Sequence, residues 1–215
     1  MTRNLKKPFL IGLSGQSCAG KNTVSSILEK KGFFCIDADK ISTSLFSVYE
    51  QEIFAMFKPE LIKAKLLSEE EGKIKADKKE FALMIFSQKK LLQKLENFIL
   101  PKIAGQIHTE IQKQFAVNPK TPIVLNAPTL HKTDLIKHCN FIFYVKAPKI
   151  IRIIRALKRD KIGLKKILAR FSKQNDFFAQ YFFLNADIVV VKNSGSIKKM
   201  ENVLLQELTK RGFKV

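Results

Sequence analysis

The sequence predicts an α/β fold in which helices cover both faces of a doubly wound, five-stranded parallel sheet. Three observations lead there. Five short apolar runs recur along the chain, amphipathic stretches of helical period alternate with them, and a glycine-rich turn joins the first run to the first helical stretch. With 215 residues and 46% apolar content, the chain is long enough for one such domain with a sizeable core.

The predicted strands are residues 9–13, 33–36, 122–125, 141–145 and 188–191. Each is almost continuously hydrophobic, which suits strands buried on both faces of a parallel sheet better than strands with one wet face. The helical stretches are residues 21–31, 78–100, 103–115, 149–159 and 196–211, each bounded by Gly, Pro or polar residues. Two segments break the rhythm. Residues 40–101 form a long, mainly helical excursion between strands, and residues 148–174 are strongly basic and helical. Both leave from strand carboxyl ends, where doubly wound sheets bind ligands. No internal repeat or low-complexity linker sets them apart. The expected plan is therefore a single domain over 1–215, with a core at about 8–40, 102–147 and 185–215, one insert at about 41–101 and a second at about 148–174. The aromatic cluster Phe177, Phe178, Tyr181, Phe182 and Phe183 is read as packing.

A formal charge of +20 attracts polyanions, but its lysines are scattered in pairs such as Lys30-Lys31 and Lys165-Lys166, the look of solvated helix faces. Cys18, Cys35 and Cys139 are an odd set without CxxC spacing, which suggests neither a disulfide framework nor a cysteine zinc site and points to free thiols. The polar start and the short apolar run at 9–13 do not resemble a signal peptide or a membrane span, so a cytoplasmic protein without a membrane partner is expected. His108, His131 and His138 lack metal-ligand spacing.

The first strand leads into Gly15-Gln16-Ser17-Cys18-Ala19-Gly20-Lys21-Asn22, which fits the G-x-x-x-x-G-K phosphate loop in its strand-to-helix setting. The two glycines allow a tight turn, the loop amides and helix start cradle phosphate oxygens, and Lys21 adds a point charge on the β and γ phosphates. Bound ATP is the expectation. Asn22 stands where a serine or threonine ordinarily ligates Mg²⁺. Its carboxamide oxygen can substitute, directly or through water, or Asn22 can simply cap the helix; Thr23 is one residue further round. The second strand closes with Asp37-Ala38-Asp39, and continued extended geometry would aim both carboxylates from one face beside the loop. One could accept or orient a hydroxyl proton and the other could hold a magnesium-bound water; the bland reading is an Asx turn with a helix cap.

At this point the sequence resembles the dephospho-coenzyme A kinase family. Gly12-Leu13-Ser14-Gly15 matches its G-L-[ST]-G and Cys35-Ile36-Asp37-Ala38-Asp39 its V-I-D-A-D. The likeness continues through Asp77-Lys78, Ile85-Phe86, Leu100-Pro101, Pro128 with Leu130, Arg155 with Arg159-Asp160, Arg170 with Gln174, and Asn193-Ser194-Gly195-Ser196, in order over nearly the whole chain. It departs at Lys78, Leu100 and Lys132, where the family has Arg, His and Glu, and at Asn22.

The resemblance implies phosphorylation of the ribose 3′-hydroxyl of dephospho-coenzyme A by ATP with Mg²⁺. It implies Asp39 as base with Lys21, Arg155 and Arg159 as the charges on the transferring group. Residues 15–23 and Asn193 would bind nucleotide, Asp37, Lys78 and Pro128 the acceptor, and Asn22 with Asp37 the metal. The insert at 41–101 would bind the acceptor and 148–174 would act as a lid. Arg155 and Arg159 share a helix face, which lets both reach a phosphate, or they belong with Arg152 to a solvated basic stripe. Two alternatives stay open: another nucleoside or nucleotide kinase of this fold, and a basic nucleic-acid-binding protein with a relict loop, although no nucleic-acid motif is recognisable.

Overall fold

The strand β1 (Leu10–Gly15) is buried at all six positions, the pattern of a strand covered on both sides. In the computed structural model, which describes residues 7–127, 133–160, 163–172 and 186–215, β1 is the centre of a five-stranded sheet. Its neighbours are β5 (Ile123–Asn126) and β6 (Phe141–Lys146), with β2 (Phe34–Asp37) and β7 (Ile188–Lys192) outermost. Every pair is parallel, so each connection must cross a face of the sheet. The order β2-β5-β1-β6-β7 sends the chain one way after β1 and the other way after β6. The crevice at their carboxyl ends is where such a sheet takes its ligand.

Two helices seal one face. Val24 and Leu28 of α1 (Lys21–Lys30), with Leu204 and Leu208 of α9 (Ile197–Lys210), form a core with Ile11, Leu13, Phe143 and Val145 of the sheet. Their four-residue spacing puts each pair on one helix stripe. All five expected strands and these two helices stand where the sequence pattern sets them, within two residues at each end. The chain divides into two compact units, Met1–Asp39 with Ile107–Val215, and Lys40–Gln106.

The second unit has its own aromatic core. Phe54, Phe57 and Phe81 are buried, and Phe81 meets Phe46, Phe54 and Phe57 at ring-centroid distances of 6.0, 5.2 and 5.5 Å. These rings come from α2 (Ala38–Val48), α3 (Glu50–Met56), the start of α4 (Lys58–Lys63) and α5 (Lys78–Ser87). Asp77 caps α5, its Oδ1 accepting from the backbone of Lys79 and Glu80 at 2.9 Å. The antiparallel hairpin β3 (Ser68–Glu70) and β4 (Lys73–Lys75) was not expected. Its first strand is wholly exposed, so it has no apolar alternation to read. Polar contacts hold it instead: the Gln51 amide exchanges two 3.0 Å hydrogen bonds with the backbone of Ile74.

The helix expected over 78–100 is broken at Gln88, whose φ of −126° and ψ of 117° end α5. The helix α6 (Lys89–Val117) then runs through Pro101, which sequence reasoning takes as a boundary. Ile99, Ile103, Ile107 and Ile111 recur every fourth residue on it and are all buried. Burial at about 1.5–3 kcal/mol each outweighs the roughly 3 kcal/mol cost of an interior proline. Among the described residues, no helix is long and apolar enough to cross a membrane.

Candidate active site

The turn after β1 has a geometry that only certain residues permit. Gly15 has φ 145°, and a Cβ there would stand 2.3 Å from the Val145 carbonyl oxygen. Gly20 has φ 102°, and a Cβ would fall 2.0 Å from Nδ2 of Asn193. Both positions therefore exclude a side chain, by conformation and by space. Between them Cys18 takes φ 59°, unfavourable for a non-glycine residue. Its side chain packs against Ala156, Ile167 and Phe171 of α7 (Lys149–Asp160) and α8 (Leu164–Ser172), which offsets that cost.

Three side chains brace the turn. Arg152 is only 4% exposed. Its Nε donates to the Ser17 carbonyl at 2.9 Å and its Nη1 to Gln16 Oε1 at 2.6 Å, while its guanidinium lies 4.2 Å from the Phe171 ring centre. Arg155 Nη1 donates to the carbonyls of Cys18 and Ala19 at 3.4 and 3.3 Å, and its Nη2 to Asn193 Oδ1 at 3.2 Å. Asn193, buried after β7, donates from Nδ2 to the Ala19 carbonyl at 2.8 Å. These contacts engage the carbonyls of the loop. The start of α1 carries no acidic residue in its first turn, so its positive end is free to face an anion.

Lys21 Nζ donates to the Gly15 carbonyl at 3.1 Å. Loss of hydration lowers its pKa, opposed mainly by attraction to Asp39. Desolvation raises the Asp39 carboxyl, with Lys21 and Arg159 pulling it down and Asp37 pushing it up. Lys21, Asp39 and Arg159 therefore share one electrostatic neighbourhood. Arg159 is itself held by Asp160, both carboxylate oxygens accepting from its guanidinium; that bond raises its pKa. A carboxylate kept basic beside two cations can take a proton from a hydroxyl while the cations offset charge developing on phosphate oxygens.

The expected alternation of the acidic pair is corrected here. Asp37 ends β2, but the helix α2 begins at Ala38, and Asp37 Oδ1 accepts from the Asp39 backbone N–H at 3.0 Å. Asp37 thus turns the chain into α2, and Asp39 stands on the first helical turn. The Asx turn wins because α2 needs an acceptor for its first amides. The solvated basic stripe does not hold for Arg152, which is buried and bound to the loop, or for Arg155, which is bound to two loop carbonyls, whereas the Arg159 side chain is exposed beside Asp160. A six-residue run of isoleucines and arginines, residues 150–155, conceals which arginine turns inward.

Asn22 is exposed, and its Oδ1 accepts from Nδ2 of Asn126, the last residue of β5, at 3.3 Å. Sequence reasoning missed Asn126; a polar residue closing an apolar strand reads only as a turn signal. Thr23 donates its backbone N–H to Gly20 at 3.1 Å. Lys78 lies in the second unit, paired with Glu50 at 2.7 Å, and lines a pocket of ≈ 370 Å³ together with Phe46, Phe81, Ile85 and Phe86. Pro128, Leu130, His131, Lys132, Gln174 and the cluster at 177–183 lie outside the described residues. Nothing is described of the Arg170 side chain.

A family model described as dephospho-CoA kinase matches residues 9–199. The chain belongs to the dephospho-CoA kinase family. A Treponema denticola relative of that name is 55% identical over 207 residues, covering 96% of this chain and 92% of its own. Its Treponema pallidum counterpart is 39% identical, covering 94% of this chain and 95% of its own. Among solved structures, a Thermus thermophilus protein shares the fold with a TM-score of 0.77 at 23% identity, over 97% of this chain and 100% of that one. A Campylobacter jejuni dephospho-CoA kinase superposes with a TM-score of 0.58 at 25% identity, over 94% of this chain and 96% of that one. The chain is accordingly an ATP-dependent kinase, and the phosphate-loop fold expected from its sequence is the fold it has.

Proposed function

We propose that this kinase moves the γ-phosphoryl group of ATP onto the ribose 3′-hydroxyl of dephospho-coenzyme A, giving coenzyme A. The observation that carries the reading is the joint neighbourhood of Lys21, Asp39 and Arg159 at the mouth of a braced phosphate loop. Residues 15–23 cradle the nucleotide phosphates, and Asn193 fixes the loop that holds them. Lys21 and Arg159 offset charge on the transferred group. Asp39 accepts the hydroxyl proton, and Asp37 sets its position through the turn into α2. Arg155, bound to two loop carbonyls and Asn193, supports the reaction by holding the cradle in shape.

Lys40–Gln106 is proposed as the acceptor-binding unit, supported by its pocket and by Lys78 in the lining; Pro128 is proposed to assist. The helices α7 and α8 are proposed as the lid whose closure keeps water from the phosphoryl group. Among the described residues, no cluster of three or more His, Cys, Asp or Glu could hold a metal unaided. The oxygen donors Asn22, Asp37 and the buried Asn126 Oδ1 fit a hard cation completed by nucleotide phosphates and water. Bound Mg²⁺ would supply charge neutralisation across the β and γ phosphates. Free thiols at Cys18, Cys35 and Cys139 support action in the reducing cytoplasm.

The test is a coupled assay with Mg-ATP and a panel of dephospho-coenzyme A, nucleosides and nucleoside monophosphates. Turnover selective for dephospho-coenzyme A is expected. Selective turnover of another acceptor, with none for dephospho-coenzyme A, would overturn the reading.

A further inference from the structure

Two asparagines meet where phosphate-loop NTPases ordinarily place a hydroxyl and a carboxylate on the nucleotide's metal. Asn22 occupies the hydroxyl position, directly after Lys21. Asn126 closes the strand beside β1, in register with Asp37 of β2 and Leu13 of β1. Its side chain is 4% exposed, and Nδ2 donates to Asn22 Oδ1 at 3.3 Å. Its Oδ1 is buried, with no hydrogen-bond partner among the described residues. An amide oxygen sealed away without a partner is expensive, and such groups in folded proteins ordinarily have a ligand, ion or water to receive. Asn22 Oδ1, a carbonyl oxygen with two lone pairs, spends one on Asn126 and keeps the other.

We infer that Asn22 and Asn126 form a carboxamide pair that holds the divalent cation of the bound nucleotide, in place of the hydroxyl and carboxylate. The inference rests on the ATP-dependent reading above and deepens it. The mutual hydrogen bond orients both oxygens, as a second-shell bond orients a metal ligand. Because both side chains are neutral, the cation's charge is balanced by the nucleotide phosphates and Asp37. Metal binding should then be tight with nucleotide present and weak without it. A hydrogen bond that merely tethers α1 to β5 would satisfy Asn126 Nδ2 equally well but leaves its Oδ1 unexplained.

Mn²⁺ binding to the full chain, read by electron paramagnetic resonance of the free hydrated ion with and without ADP, tests this without turnover. Asn126→Leu is expected to weaken Mn²⁺ in the ADP complex about tenfold. Asn126→Asp, which adds a charge at the same shape, is expected to tighten it, and Asn22→Ser combined with Asn126→Asp to tighten it further. Unchanged Mn²⁺ affinity in Asn126→Asp and in the double variant, with ADP still bound, would overturn the inference. ADP binding in EDTA reports folding; if Asn126→Leu loses it, the isosteric Asn126→Asp decides alone. Failure of the wild-type chain to bind ADP would instead strike the kinase reading itself.

Discussion

The phosphate loop and the Lys40–Gln106 unit are built by opposite means. Around the loop, Arg152, Arg155 and Asn193 spend their polar atoms on carbonyls of a five-residue turn, and two glycines leave no room for a Cβ. In the other unit, Phe54 and Phe57 pack edge to face on Phe81, and Phe81 in turn lines a pocket whose polar lining is Lys78 and a few hydroxyls. The first arrangement tolerates almost no change of residue type. The second accepts any apolar side chain of suitable volume. Mutations should therefore be drastic and local in the one, graded in the other.

Gly15→Val should break the contrast most severely. Its Cβ would collide with the Val145 carbonyl oxygen at 2.3 Å, and valine cannot adopt φ 145°. ATP binding, followed by calorimetry, should be lost; retained binding would show that β1 and β6 can part to admit a side chain. Next comes Asp39→Asn, expected to lower kcat by about 10²–10⁴-fold while ATP affinity stays nearly constant. Since Asp39 titrates above the usual carboxylate range, wild-type kcat should fall as pH drops through that raised value, and the limb should vanish in Asp39→Asn. Stability carries the opposite sign. The folded carboxyl holds its proton more tightly than the unfolded one, so stability falls as pH rises through the same window.

Arg152→Met removes two loop contacts while keeping much of the bulk over Phe171. A buried charge-assisted hydrogen bond contributes about 1.5–3 kcal/mol, so the ATP KM should rise about 10–100-fold with a smaller loss in kcat. Arg152→Lys, which keeps the charge but not the fork, should recover only part of it. An unchanged KM would return Arg152 to a packing role.

This asymmetry also explains what the sequence made legible. The five strands and the Gly15–Lys21 turn could be read because continuous burial and phosphate cradling demand particular residue types at particular spacings. Arg152 could not be told from Arg155 or Arg159, since an arginine's direction depends on what packs across from it, here Phe171 of another helix. Asn126 was hidden for the same reason: its partner, Asn22, lies 104 residues away in sequence. In the second unit, the exposed β3 carried no apolar period, and the isoleucine stripe of α6 overrode Pro101 through long-range burial.

Lys78→Ala gives the smallest effect and the sharpest view of the second region. Its ammonium pairs with Glu50 at 2.7 Å, with the side chains 58% and 28% exposed, so the pair contributes about 0–1 kcal/mol to stability. A fall in Tm of a few degrees at most is expected. If Lys78 also meets the acceptor, its loss should raise the KM for dephospho-coenzyme A several-fold while leaving the ATP KM alone. Glu50→Gln separates the two roles: it breaks the same ion pair but spares the ammonium, so the acceptor KM should stay near wild type. Equal rises in both variants would mean that Lys78 serves the acceptor only through its ion pair with Glu50, and not by meeting the acceptor with its own ammonium.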